Sequence, residues 1–366
     1  MKILVFEAYD GGSHGHFLDG LIAHSSHDYI RLGMPPRKWK WRMRGAAIYF
    51  ARKVSQLLAE NHLRPNDIDL IFTSDMTSVS DLRALLPEPL KSTSLVCYFH
   101  ENQLTYPLED ESLRDYQYGF TNITSCLAAD AVWFNSRYHC DSFLRATEDL
   151  LKKMPDFAPD NITETIQQNC QIMPLGLEPD LFVSVPPPFQ HHPPTILWNH
   201  RWEYDKNPDD FFETLFDLQR SGVDFRLIVA GQSFRQSPPI FDAAKKILSN
   251  QLTHFGYVAD RQSYLGLLRS SDIIVSTSIH EFFGLSVLEG IASGCRPLVP
   301  ARLSYPELLP REVHAQFLYN SKDELRNQLI SFCRELPNLP TILQEKVAQL
   351  SWTNLVKHYD EAFERI

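Results

Sequence analysis

The stretch DIIVSTSIHEFFGLSVLEG, residues 272–290, compresses a strand, a turn and a helix start into one run. DIIVSTS is short, apolar and β-branched, as a strand covered on both faces requires. Gly284 permits a tight turn into a helix. A helix start directly after a buried strand aims backbone N–H groups at any anion bound there. Glu281 then lies in the loop, and Glu289 about one turn into the helix. Carboxylates in those positions can accept hydrogen bonds from the vicinal hydroxyls of a sugar or a ribose. Two solvated surface glutamates are the plainer reading, and the strand, the glycine and the helix start weigh against it.

The same alternation runs outward in both directions. Predicted strands are 2–9, 69–74, 94–100, 131–136, 195–200, 225–231, 272–278 and 296–300, with YIRLG (29–33) as a second strand region. Amphipathic segments lie between them, such as 45–61, where Ile48, Val54, Leu57 and Leu58 can share one face. Strands alternating with helices predict βαβ units and parallel sheets. VPPPFQHHPP (185–194) interrupts this with five prolines in ten residues. It cannot continue a helix or a central strand. The expectation is an α/β protein of two Rossmann-like, doubly wound domains facing a cleft. Residues 1–185 form the first, 186–194 the linker, 195–350 the second, and 351–366 a helix crossing back to the first. Ligands of such sheets bind outside the carboxyl ends of strands.

Bulk composition narrows the function classes. The chain has 366 residues, 43% of them hydrophobic, enough for two cores. No apolar run approaches the ~18 residues of a membrane span. MKILVFEAYDGG reads as a first buried strand and not as a signal peptide. Six scattered cysteines without a CxxC pair suit reduced thiols in a cytoplasmic protein. The formal charge of -10 argues against indiscriminate nucleic-acid binding and leaves room for one local anionic partner. Oligomeric state is not legible.

Two further strand ends carry unusual residues. Gly11 and Gly12 follow the first strand, where a glycine turn brings N–H groups close to a phosphate; a plain tight turn is the alternative. Arg201 and Lys206 follow the strand at 195–200, and two cations there can neutralise a diphosphate leaving group. Tyr257 follows a short strand and could line a base pocket or simply pack. No metal is expected. His14 and His16 near Asp10 lack a convincing third ligand, and Asp67–Asp69 precede a buried strand.

One segment opposes the acidic average. From Arg31 to Lys53 there are eight Lys or Arg and no Asp or Glu. At its centre Arg37, Lys38, Lys40, Arg42 and Arg44 alternate with Trp39, Trp41 and Met43. Cations hold phosphates, and Trp and Arg planes stack on unpaired bases. The competing reading is an edge strand with core tryptophans and solvated cations, followed by a helix from 45.

Arg201 and Lys206, five apart, and Glu281 and Glu289, eight apart, resemble the nucleotide-sugar site of retaining GT-B glycosyltransferases. Phe282 and Asn199–His200 depart from it, standing where glycine is frequent. EAYDGGSH, RKWKWRMR, YFHENQLTYP, HRWEYDKNP and HEFFG resemble, in order and spacing, the tRNA-queuosine α-mannosyltransferases. That resemblance implies mannose transfer from GDP-mannose to queuosine in the anticodon of tRNA-Asp, with no metal required. It implies a catalytic group of His100, Arg201, Lys206 and Glu281. Donor binding would fall to Gly11, Gly12, Tyr257, Glu281, Phe283, Gly284, Leu285 and Glu289 with the same cations. Acceptor binding would fall to the basic segment, Glu101, Asn102, Gln103, Gln117 and Tyr118, with Asn122 near them. His100, at a strand end, would lie close to the anomeric carbon; a satisfied core histidine is the alternative. Two rivals remain: a glycosyltransferase with a lipid or small-sugar acceptor, and an RNA-binding protein with a silent nucleotide pocket.

Overall fold

The computed structural model describes residues 1–182, 193–233 and 237–366. The chain divides into two compact units, one of Met1–Gly176 with Trp352–Ile366 and one of Leu177–Ser351. Of the expected linker, residues 186–192 lie outside the described residues.

The first unit carries a parallel sheet of β1 (Lys2–Glu7), β2 (Asp28–Gly33), β3 (Leu70–Ser74), β4 (Leu95–Phe99), β5 (Ala131–Phe134) and β6 (Cys170–Ile172). Their order is β2-β1-β3-β4-β5-β6. The direction of winding reverses between β1 and β3, so their carboxyl ends open a crevice for a ligand. β3 and β4 are buried at every position, as sheet centres covered by helices must be. The final helix, Trp352–Phe363, belongs to this unit. Its Trp352 lies where a Cβ at Gly20 would come within 2.0 Å of the indole nitrogen, so only glycine fits there. Tyr359 donates to the carbonyls of Pro174 at 2.9 Å and Met173 at 3.2 Å.

The second unit has β7 (Thr195–Asn199), β8 (Arg226–Ala230), β9 (Leu252–Gly256), β10 (Ile273–Val275), β11 (Arg296–Pro300) and β12 (Leu318–Tyr319), all parallel. Their order is β12-β11-β10-β7-β8-β9, the dinucleotide-binding arrangement, with its reversal between β7 and β10. β6 and β12 escape sequence reading because three and two residues are too few to show a period.

One local expectation is overturned. The basic segment is not an edge strand, and the helix does not wait for residue 45. It runs Trp39–Ala59. Alternation of Lys and Trp mimics period two, but Met43, Ala46, Ala47, Phe50 and Val54 are buried along one side of that helix. Ile48 points away from them and is exposed, so it does not share the face of Val54.

Candidate active site

In the second unit, the loops after β7 and β10 meet at the switch point. Ile279 and His280 donate backbone N–H bonds to the carbonyl of Asp205, at 2.9 and 3.3 Å. Lys206 is buried with its ammonium bonded to the carbonyl of His280 at 3.0 Å and to Glu281 at 3.2 Å. Asp205 lies 3.2 Å away on the other side. Burial opposes charge on Glu281, yet Lys206, His200 and His280 bring its pKa down to about 2. Burial first and then the Lys206 charge depress His200 and His280, each to about 4. Glu281 is therefore an anion beside two neutral imidazoles. The pair is stable only as a unit, since a buried charge without its partner is expensive.

Glu289, on the helix Leu285–Ala292, meets a different fate. It accepts a 2.5 Å hydrogen bond from the Tyr264 hydroxyl, and that oxygen accepts from Asn199 at 2.8 Å. Burial raises its pKa, and Arg261 at 3.9 Å counters in part. Gly284 precedes the helix at φ 97°, a left-handed conformation that glycine tolerates. A side chain there would also meet Leu308 at 2.9 Å. No side chain caps this helix N-terminus, which leaves its donors to a ligand. Arg201 is half exposed and pairs with Glu203 at 3.1 Å. Phe283 is buried, with its carbonyl accepting from Ser304 at 2.9 Å.

In the first unit, the loops after β1, β3 and β4 converge at the other switch point. Glu7 ends β1 and accepts from the Tyr9 N–H at 2.8 Å and the Ser74 hydroxyl at 2.9 Å. His14, in the helix Gly12–His24, lies 3.4 Å from Glu7 and stacks on His100 with ring centroids 4.0 Å apart. Asp75 accepts from the His100 N–H at 2.9 Å, and its second oxygen has no partner among the described residues. Gly12 has φ 55°. Gly11 is extended, but a Cβ on it would strike Pro36 at 2.5 Å.

Glu7, His14 and His100 bring potential ligand atoms within 4.8 Å of one another. The His14 and His100 rings are tilted by 32° with centroids 4.0 Å apart.

The acceptor-side residues divide by burial. Asn102 is fully buried and accepts from the N–H groups of Leu104 and Thr105. It braces its own loop and has no surface for an acceptor. Asn122 ties this loop to the next, accepting from Gln103 N–H at 2.9 Å and donating to the Asp75 carbonyl at 3.2 Å. Gln103 donates its amide to the half-buried Glu101 at 3.0 Å. Gln117 is exposed and Tyr118 half-buried.

Within the basic segment, Arg42 is buried and donates twice to the Pro35 carbonyl, at 3.2 and 3.1 Å. It fastens the loop and offers no free cation. Trp39 packs edge-on against Tyr118 at 5.1 Å. Lys40 and Arg44 lie over the Tyr118 ring at 5.9 and 5.1 Å. Trp41 is 63% exposed over Gly45, where any side chain would crowd the indole. Arg37 and Lys38 are exposed. Tyr257 is 66% exposed.

Glu7, His14, Asp75, Asn199, His200, Asp205, Arg261 and Tyr264 have no assigned role in the sequence reading. For Glu7, Asp75, Asn199, His200 and Asp205 a signal was available: each lies at or just after the end of a strand that flanks a switch point, where a polar residue does not belong to a plain core. Arg261 and Tyr264 lie on the helix Arg261–Arg269 after the edge strand β9 and carried no such signal.

Two switch-point sheets, one with a paired cation and glutamate and an uncapped helix start, define a glycosyltransferase of the GT-B class. Solved structures agree on the fold. The chain superposes on sucrose-phosphate synthase from Thermosynechococcus elongatus with a TM-score of 0.70 and 17% identity, covering 100% of this chain and 98% of that one. The Anabaena HepE protein in complex with UDP gives 0.68 and 14%, covering 100% of both. Residues 2–177 match the tRNA-queuosine alpha-mannosyltransferase N-terminal family, and residues 184–346 match glycosyl transferases group 1. The tRNA-queuosine alpha-mannosyltransferase of Drosophila melanogaster is 37% identical over 341 residues, 91% of this chain and 87% of that protein. A GDP-mannose-dependent phosphatidylinositol dimannoside mannosyltransferase of Mycobacterium tuberculosis is 34% identical over 114 residues, 31% of this chain and 29% of that protein. The chain belongs to the tRNA-queuosine alpha-mannosyltransferase family. No helix among the described residues is long and apolar enough to cross a membrane.

Proposed function

We propose that the protein transfers mannose from GDP-mannose, with retention, to queuosine in the anticodon loop of tRNA-Asp. The observation that carries the RNA half is the start of the helix Trp39–Ala59. Its first turns hold Lys40 and Arg44, besides the Pro35-bound Arg42, with no acidic residue in the first turn and no side-chain cap. Cations at the positive end of a helix dipole are unfavourable unless an anion joins them. Lys40 and Arg44 beside Tyr118, with the exposed Trp41, offer charge and stacking surface together, the combination that single-stranded loops require.

The donor half belongs to the second unit. The half-exposed Arg201 exchanges its Glu203 partner for the diphosphate and draws charge from the leaving group. Lys206 adds to that positive field and, already bonded to Glu281, fixes the carboxylate that takes the sugar hydroxyls. Glu289, tied by Tyr264, takes the ribose. The N–H groups at Gly284–Leu285 and at Gly11–Gly12 are further phosphate donors. His100 serves the reacting sugar from the first unit. No metal ion is required, and the compartment is the cytoplasm.

The test uses labelled GDP-mannose and tRNA that carries or lacks queuosine, digested to nucleosides. Label in the queuosine nucleoside alone is the expected result. Label in a lipid extract, or tRNA binding with no sugar release, would overturn the reading.

A further inference from the structure

The two imidazoles at the first switch point form a contact that sugar transfer does not by itself explain. His14 and His100 come from different elements, the helix after β1 and the loop after β4, and overlap at 4.0 Å. Two neutral imidazoles gain little from such a stack, and two cations would repel. A cation against a neutral ring is the favourable combination.

The surroundings decide which ring is charged. His14 faces the carboxylate of Glu7 at 3.4 Å, with Asp75 and Glu101 also near it. Burial works against its charge, as does its place in the first turn of a helix. The carboxylates prevail, and its pKa rises to about 9. Among the described residues His100 has no such partner. Its ring is enclosed by Tyr98 at 4.7 Å and Phe17 at 5.1 Å. Burial first, then the charges of His14 and of His139 from the helix Arg137–Leu151, hold its pKa well below the usual value. Asp75 bonds the backbone of His100. Asn135 takes its carbonyl at 3.0 Å and holds the His139 ring at 2.9 Å.

We propose that His14 is a positioning residue for His100: an imidazolium paired with Glu7 and tilted against the His100 ring, it fixes that ring's orientation and keeps it a neutral hydrogen-bonding imidazole. This rests on the reading that His100 serves the reacting sugar. A neutral ring can accept from a sugar hydroxyl at one nitrogen and donate at the other, which an imidazolium cannot do. It also adds no positive charge beside an anomeric carbon that becomes cationic.

The experiment follows ring carbon signals of histidine-labelled protein against pH, with His14→Gln and His100→Asn supplying assignments. In the wild type, the His100 signal stays neutral through the ordinary histidine midpoint of about 6.5, and His14 stays charged. In Glu7→Gln, whose amide oxygen still accepts from Tyr9 and Ser74, the His100 midpoint rises by a unit or more. The kcat profile then loses activity as pH falls toward that midpoint, with KM for GDP-mannose unchanged. His14→Gln does the same, and Glu7→Gln with His14→Gln together does no more than His14→Gln alone. An unmoved His100 midpoint in both single variants overturns the proposal, as does a fully additive double variant. Zinc alone shifting both ring signals at one equivalent also overturns it. Wild-type transfer by His100→Asn, with the midpoint coupling intact, overturns instead the role given to His100 in transfer.

Discussion

The two switch points use similar residues to opposite ends. After β7 and β10, a lysine enters among carboxylates, and burial strengthens the pairing: Glu281 is held ionised at about 2. After β1 and β3, no lysine enters among the described residues. Glu7 finds a histidine, while Asp75 has one oxygen unpartnered and burial drives its pKa well above the usual carboxylate range. A buried carboxylate is an anion where a permanent cation meets it and tends to a neutral acid where none does. The second unit thus presents fixed charge, as phosphate and sugar binding need. The first presents a carboxylate paired only with a histidine and a carboxyl that burial drives toward its neutral form.

Removing the permanent cation should break this contrast most severely. Lys206→Met leaves Asp205 and Glu281 buried without a partner, and should cost about 3–5 kcal/mol in chemical denaturation as well as nearly all transfer. A loss under about 1 kcal/mol would mean the carboxylates are wetter than their burial implies. Glu281→Gln keeps the shape and removes the charge. Transfer should fall on the order of 100-fold, the scale of losing one well-placed polar group in the transition state. Affinity for tRNA should not change.

Binding partners sharpen the division between units. Lys40→Ala with Arg44→Ala should weaken tRNA binding and lower its salt slope by about 1–2, while Arg201→Ala should spare tRNA and weaken nucleotide diphosphate binding. Arg42→Ala should behave unlike its neighbours, costing about 1–3 kcal/mol of stability with the salt slope nearly intact, because its bonds go to Pro35. Equal salt slopes for Arg42→Ala and Arg44→Ala would remove the distinction.

The smallest effect is in pH. Glu281 has a depressed pKa, so its contribution to stability is full above the unfolded value of about 4.3 and fades as pH falls through about 2. Asp75 has a raised pKa, so stability declines as pH climbs from about 3.9 upward. Denaturation curves of Glu281→Gln should lose the acid limb. Those of Asp75→Asn should lose the decline on the alkaline side. Identical curves for both variants would erase the difference between the switch points.

Sequence by itself determined the two parallel-sheet units, because buried strands and glycine turns repeat at short range. It singled out Arg201, Lys206, Glu281 and Glu289, because polar residues at strand ends stand out against apolar runs. Tertiary structure alone decided what each does. Arg42 and Arg44 look alike in sequence, yet Arg42 is spent on a carbonyl and Arg44 lies over Tyr118. Helical phase separates them: two residues apart is about 200° around the axis, enough to send one inward and the other out. The stack of His14 on His100 joins positions 86 apart, and no local pattern records a contact made only when strands pair.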